Sequence, residues 1–137
     1  MTRCTMSTAI VLTLATTAAL QAQTRGQEPE FDGRPLSAWV EDLKAAAPQT
    51  RNAAAYVISG MGPAARAAVP ALIEALDDPV AAVRYPVAVA LREIGPAAAA
   101  AVPALRRALN DSSDDVAAMA RKALIAITGE DPGPPED

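Results

Sequence analysis

Apolar residues recur along this chain at helical spacing, and the spacing itself recurs. Leu36, Trp39 and Leu43 stand at i, i+3 and i+7, as do Val69, Leu72 and Leu76, and again Val102, Leu105 and Leu109. Each set forms one stripe on an amphipathic helix. A second stripe follows each of them: Ala54, Val57, Ile58 and Met61; Val87, Ala90, Leu91 and Ile94; Ala120, Ala123, Leu124 and Ile127. Corresponding positions lie 33 apart, and the window Gly62 to Asp78 returns as Gly95 to Asp111 with 13 of 17 positions identical. Alanine and leucine dominate and no alternating strand pattern appears. The expectation is an all-α fold, an α-solenoid of about three helix pairs with a 33-residue period.

Turn-forming residues mark the same units. Gly62-Pro63 and Gly95-Pro96 put a helix-ending glycine before a proline that opens the next segment. Asp77-Asp78 before Pro79, the run Asp111 to Asp115, and Pro48 mark the turns inside the units, with Asp78 expected to cap the following helix. Pro70 and Pro103 should bend the first helices or delay their start. Pro86 falls inside a second helix, where it removes a donor and crowds the carbonyl of Ala82; a kink is expected, costing roughly 3 kcal/mol unless relieved locally. The units run about 34–62, 63–95 and 96–129. Residues 23–33 read as a polar linker and 130–137, rich in proline and acid, as a disordered tail.

Composition changes the picture at the ends. Arg3, the uncharged apolar run Ile10 to Leu20 and the small residue Ala22 have the order of a secretory signal peptide, residues 1–22. The expected location is therefore periplasmic or extracellular. Cys4, the single cysteine, lies in that segment, so the remainder has no disulfide to rely on. No later stretch reads as long and apolar enough for a membrane helix, so membrane insertion is not expected once the segment is cleaved. Residues 34–129 carry 10 basic and 9 acidic side chains, which leaves no basic stripe for phosphate backbones and argues against nucleic acid as a partner.

The residues that carry the period resemble the HEAT repeat family, in particular the short HEAT-like repeats also found in phycobilin lyases. They are Gly62 to Ala65, Val69 to Leu72, Asp77-Asp78, Val83-Arg84, and Ala90-Leu91 through Ile94-Gly95. The segment Phe31 to Val40 (FDGRPLSAWV) is similar to the start of such arrays in exported bacterial proteins. Unit one departs by opening on Arg34-Pro35, and unit three by carrying Ala117 where Arg84 stands in unit two. The resemblance implies a protein-binding or scaffolding module. It also implies a ladder in which an Asp of one unit meets an Arg of its neighbour. The Arg column reads Arg51, Arg84, Ala117 and the Asp column Ala45, Asp78, Asp111. Pairing Arg51 with Asp78 and Arg84 with Asp111 leaves alanine at both unpartnered ends. An internal pair, Asp78 with Arg84, is the competing arrangement.

Candidate partner contacts come from the outward columns of the second helices, 52/85/118, 55/88/121, 56/89/122 and 59/92/125. These place Asn52, Tyr56, Tyr85, Arg92 and Arg121, with Lys122, on or near one face. In such stacks that face is the concave one and the usual partner surface. Trp39 shares its column with Leu72 and Leu105 and is expected to pack in the core. Catalysis finds little support: the chain has no histidine, and its carboxylates lie in turns and tails, so neither a metal site, a cofactor nor an acid–base dyad is expected. Self-association through the end faces is the rival to a protein-binding role, and bilin-lyase-like ligand handling a distant third.

Overall fold

The computed structural model describes residues 27–134; the segment 1–22 expected to be a signal peptide and residues 135–137 lie outside them. Proline opens several helices, where its missing N–H and fixed φ do no harm. Pro48 stands in the first turn of α2 (Pro48–Met61), Pro70 in α3 (Val69–Ala75) and Pro103 in α5 (Val102–Ala108). The others are α1 (Leu36–Asp42), α4 (Ala81–Ile94) and α6 (Asp114–Thr128). Shifting α1 by 33 residues gives α3 and then α5, and shifting α2 gives α4. The helices pair as α1 with α2, α3 with α4, and α5 with α6.

The first helices do start late, as Pro70 and Pro103 require. Each is preceded by a 3-10 segment, Gly62–Ala68 and Gly95–Ala101. Gly62 and Gly95 end the preceding helices at φ 58°, ψ −141° and φ 73°, ψ −143°, a region that only glycine enters without strain. The second helices α2, α4 and α6 pack side by side, while α1 and α3 each meet the 3-10 segment of the next unit.

The first unit differs. Its stretch 29–35, which corresponds by shift to Gly62–Ala68, is not a 3-10 segment but a small hairpin. Glu30–Phe31 (β1) pairs antiparallel with Arg34–Pro35 (β2). Asp32 and Gly33 turn the corner at φ 51° and 71°, the two positive values of a type I′ turn. Part of the expected linker is thus built structure. Glu28 extends it, accepting the Ser37 N–H at 2.9 Å at the start of α1. That N–H holds the Glu28 carboxyl below its ordinary range.

Burial follows position in the stack. In α4, packed between α2 and α6, Val83, Val87, Ala88, Ala90 and Leu91 are fully buried. Val57 and Met61, their unit's counterparts of Ala90 and Ile94, are only half-buried in α2, because among the described residues no helix pair packs against α2 from the N-terminal side. The same end effect tempers the reading of Trp39, which packs against the core as expected but is covered only in part. Leu72 and Leu105 are fully buried, but Trp39 is half-buried, with the Arg34 guanidinium 4.0 Å over its ring and Phe31 at its edge. The hairpin closes the open end of the stack over Trp39.

Two further expectations are corrected. Residues Ala81–Ala108 reach a mean hydropathy of 1.3 over 18 residues, apolar enough by composition to cross a membrane. That stretch is α4, a 3-10 segment and α5, divided at Gly95, and its large side chains Val83, Val87, Leu91, Ile94 and Leu105 are buried in the stack. And α4 runs from Ala81 to Ile94 without interruption at Pro86. The Ala82 carbonyl, left without the N–H that Pro86 lacks, accepts a hydrogen bond from the Asn52 side-chain amide of the preceding unit. This is the local relief that keeps the helix continuous.

Candidate functional site

Two arginines tie the units together from the first turns of α2 and α4. Arg51 reaches Asp78 of the next unit through Nε at 2.7 Å and Nη2 at 3.1 Å. Arg84 reaches Asp111 in the same two-pronged way, at 2.9 Å for both. The internal alternative is also partly used, but by the backbone. Arg84 Nη1 donates to the Asp78 carbonyl at 2.7 Å, as Arg51 Nη1 donates to the Ala45 carbonyl at 2.9 Å. Each guanidinium thus fastens its own turn and the carboxylate of the following unit. The planar fork of arginine suits this bidentate contact; lysine could not reproduce it.

The aspartates do a second job. Asp78 Oδ1 accepts the Val80 N–H and Asp111 Oδ1 the Ser113 N–H, both at 2.9 Å. Asp78 therefore shapes the turn two residues on, and α4 itself has no side-chain cap; at the matching position in unit three, Ser113 caps α6 through the Val116 N–H. Partial burial works to raise the Asp78 and Asp111 carboxyls. Hydrogen bonds from the arginines and from the turn amides, with the nearby positive charges, outweigh it and hold both below the ordinary 3.8. Arg84 is correspondingly held more firmly protonated, chiefly by its hydrogen bond to Asp111.

The expected partner residues do not form one patch. Asn52, Tyr56 and Tyr85 come together with Ala81, Ala82, Ser113 and Asp115 around an open groove of about 430 Å³. The groove crosses all three second helices or their N-terminal turns. Tyr56 is 48% exposed and Tyr85 half-buried. Arg92 lies outside the groove, paired with its neighbour Glu93 and touching Met119 Sδ at 3.7 Å. Arg121 is farther from the role expected of it. Its column mates Ala55 and Ala88 are fully buried, so this column faces the next unit rather than outward. Among the described residues no unit covers Arg121, which pairs with Asp131 at 2.7 Å and so holds the first part of the acidic tail against α6. That ion pair and the Gly133 N–H keep Asp131 below its ordinary range. Sequence reasoning missed Ser113 and Asp115 as groove residues; their column mates, Val80 and Ala82, gave no polar signal.

Residues 36–125 match the family model of HEAT repeats. This chain belongs to the HEAT repeat family. HEAT repeats generally mediate protein–protein interaction or scaffolding, and the family is typically non-catalytic. A solved structure of an engineered protein is similar in fold, with a TM-score of 0.61 at 22% identity, covering 67% of this chain. The chain spans 44% of that protein's length. No curated protein matches it. Among the described residues, no group of three or more His, Cys, Asp or Glu side chains is placed to hold a metal ion.

Proposed function

We propose that this HEAT-repeat chain is an exported, non-catalytic module that binds a segment of a partner protein along its second helices. The groove of about 430 Å³ carrying Tyr56 and Tyr85 is the observation that supports this reading. Tyrosines give a partner large contact area with little side-chain freedom to lose, and their hydroxyls stay available. The ladder fixes the spacing of the helices that present them, so the surface is formed before a partner arrives. Export rests on the charge, apolar run and small residue of residues 1–22.

End-to-end self-association has less support. Stacking in register would set Arg121 and Lys122, in columns that hold Ala55, Ala88, Tyr56 and Val89 in the earlier units, against another copy. At the fully buried Ala55 and Ala88 positions there is room only for a methyl group. Selection of a random-peptide display library on residues 23–137 tests the binding role. Peptides that bind the wild type and are lost from a folded Tyr56→Ala/Tyr85→Ala variant support it. Peptides that bind both proteins alike place the contact elsewhere and overturn the reading.

A further inference from the structure

The groove has a chemical bias that selects among partners, and the inference drawn from it rests on the binding role just proposed. Among the described residues, no lysine or arginine lines it. Asn52 donates one of its two amide N–H groups to the Ala82 carbonyl, which leaves the other N–H and the Asn52 carbonyl oxygen. Ser113 already accepts the Val116 N–H. Among the described residues, Asp115 makes no ion pair with any cation, and neither tyrosine hydroxyl makes a hydrogen bond within the chain. The lining therefore offers one full negative charge and two tyrosine rings, together with the neutral hydroxyl and amide groups of Tyr56, Tyr85, Ser113 and Asn52. An anionic segment would meet no side-chain cation there. A planar cation rich in N–H donors finds everything it uses: carboxylate, carbonyl oxygen and aromatic face.

We infer that the groove takes an extended partner segment carrying arginine, its guanidinium set against the Asp115 carboxylate and the rings of Tyr56 and Tyr85. Binding through this contact weakens as salt screens the partly exposed charge.

The test uses a tyrosine-dependent peptide from the display selection, resynthesised with a fluorescent label and titrated by anisotropy. Arginine should be enriched among the selected sequences. Replacing that arginine by citrulline, which keeps the shape and removes the charge, should weaken binding about five-fold. Asp115→Asn should weaken the parent peptide by a similar factor and leave the citrulline peptide unaffected, so the two losses do not add. Circular dichroism of the variant checks that it is folded. Tyrosine-dependent peptides that lack basic residues, or that bind Asp115→Asn as well as wild type, would overturn the cation preference and leave the binding role standing. If no peptide depends on the tyrosines, both fall together.

Discussion

Replacing Asp78 by alanine isolates what the inter-unit ladder contributes. The Asp78 side chain is 7% exposed and that of Arg51 13%, so loss of the carboxylate strands a guanidinium that water reaches poorly. Breaking a buried pair from one side costs about 3–5 kcal/mol. Two backbone carbonyls, of Ala45 and Ala46, still hold Arg51 Nη1, which points to the lower end, about 3 kcal/mol. The Val80 N–H, deprived of its acceptor, accounts for roughly 1 kcal/mol of that. In a repeat domain of this size the loss lowers Tm by about 12–24 °C. Arg51→Ala should cost about 2 kcal/mol, since Asp78 keeps the Val80 N–H. The double variant should fall short of the sum by about 1.5–2 kcal/mol, because either single change already forfeits the shared contact. The Arg34–Asp42 pair, 43% and 29% exposed, serves as the control, and Asp42→Ala should stay within about 0.5 kcal/mol. Urea unfolding followed by far-ultraviolet circular dichroism measures all four. Losses at Arg51 and Asp78 that add to within about 0.3 kcal/mol would refute the claim that the pair holds the units together.

Two more predictions concern pH and glycine. Asp78 and Asp111 titrate below 3.8 in the folded chain. A carboxyl whose folded pKa is depressed contributes stability that is complete above its unfolded value and is lost as pH falls through the folded one. Thermal stability should therefore hold from neutral pH down to about 5 and drop steeply beneath 3.8, and Asp111→Asn should flatten that drop; an unchanged slope contradicts the assignment. Gly95→Ala should cost about 1–3 kcal/mol, since its φ of 73° with ψ −143° is closed to alanine. Gly60→Ala, exposed near the end of α2 with open space around it, should gain about 0.5 kcal/mol. Equal effects at the two glycines would show that backbone conformation is not what distinguishes them.

The stack and its ladder were legible because a fixed period aligns columns, and columns name partners. Arg51 and Asp78 lie 27 residues apart, yet the alanines at positions 45 and 117 fitted pairing across units, with an internal Asp78–Arg84 pair as the alternative that the structure then set aside. What the columns hid were the ends. Alanine suits a buried stacking face as well as an outward one, so Ala55 and Ala88 read as surface until the fold showed them sealed by the next unit. Arg121 was drawn outward with them. Trp39 was assigned the burial of Leu72 and Leu105, although no unit covers it from the N-terminal side. The Asp32-Gly33 pair, a strong hairpin signal, was masked by a polar, proline-containing neighbourhood. The groove was half visible. Its tyrosines stood out, whereas Asp115 joined them only through the juxtaposition of three turns.

Backbone hydrogen exchange, run with and without a tyrosine-dependent peptide, tests the binding surface most directly. Slowed exchange around residues 52–56, 81–85 and 113–116, in all three units at once, is the result expected for a ligand laid across the second helices. Slowing confined to the hairpin and α1, or to the end of α6 beside Asp131, would put the contact at an end of the array and contradict the account.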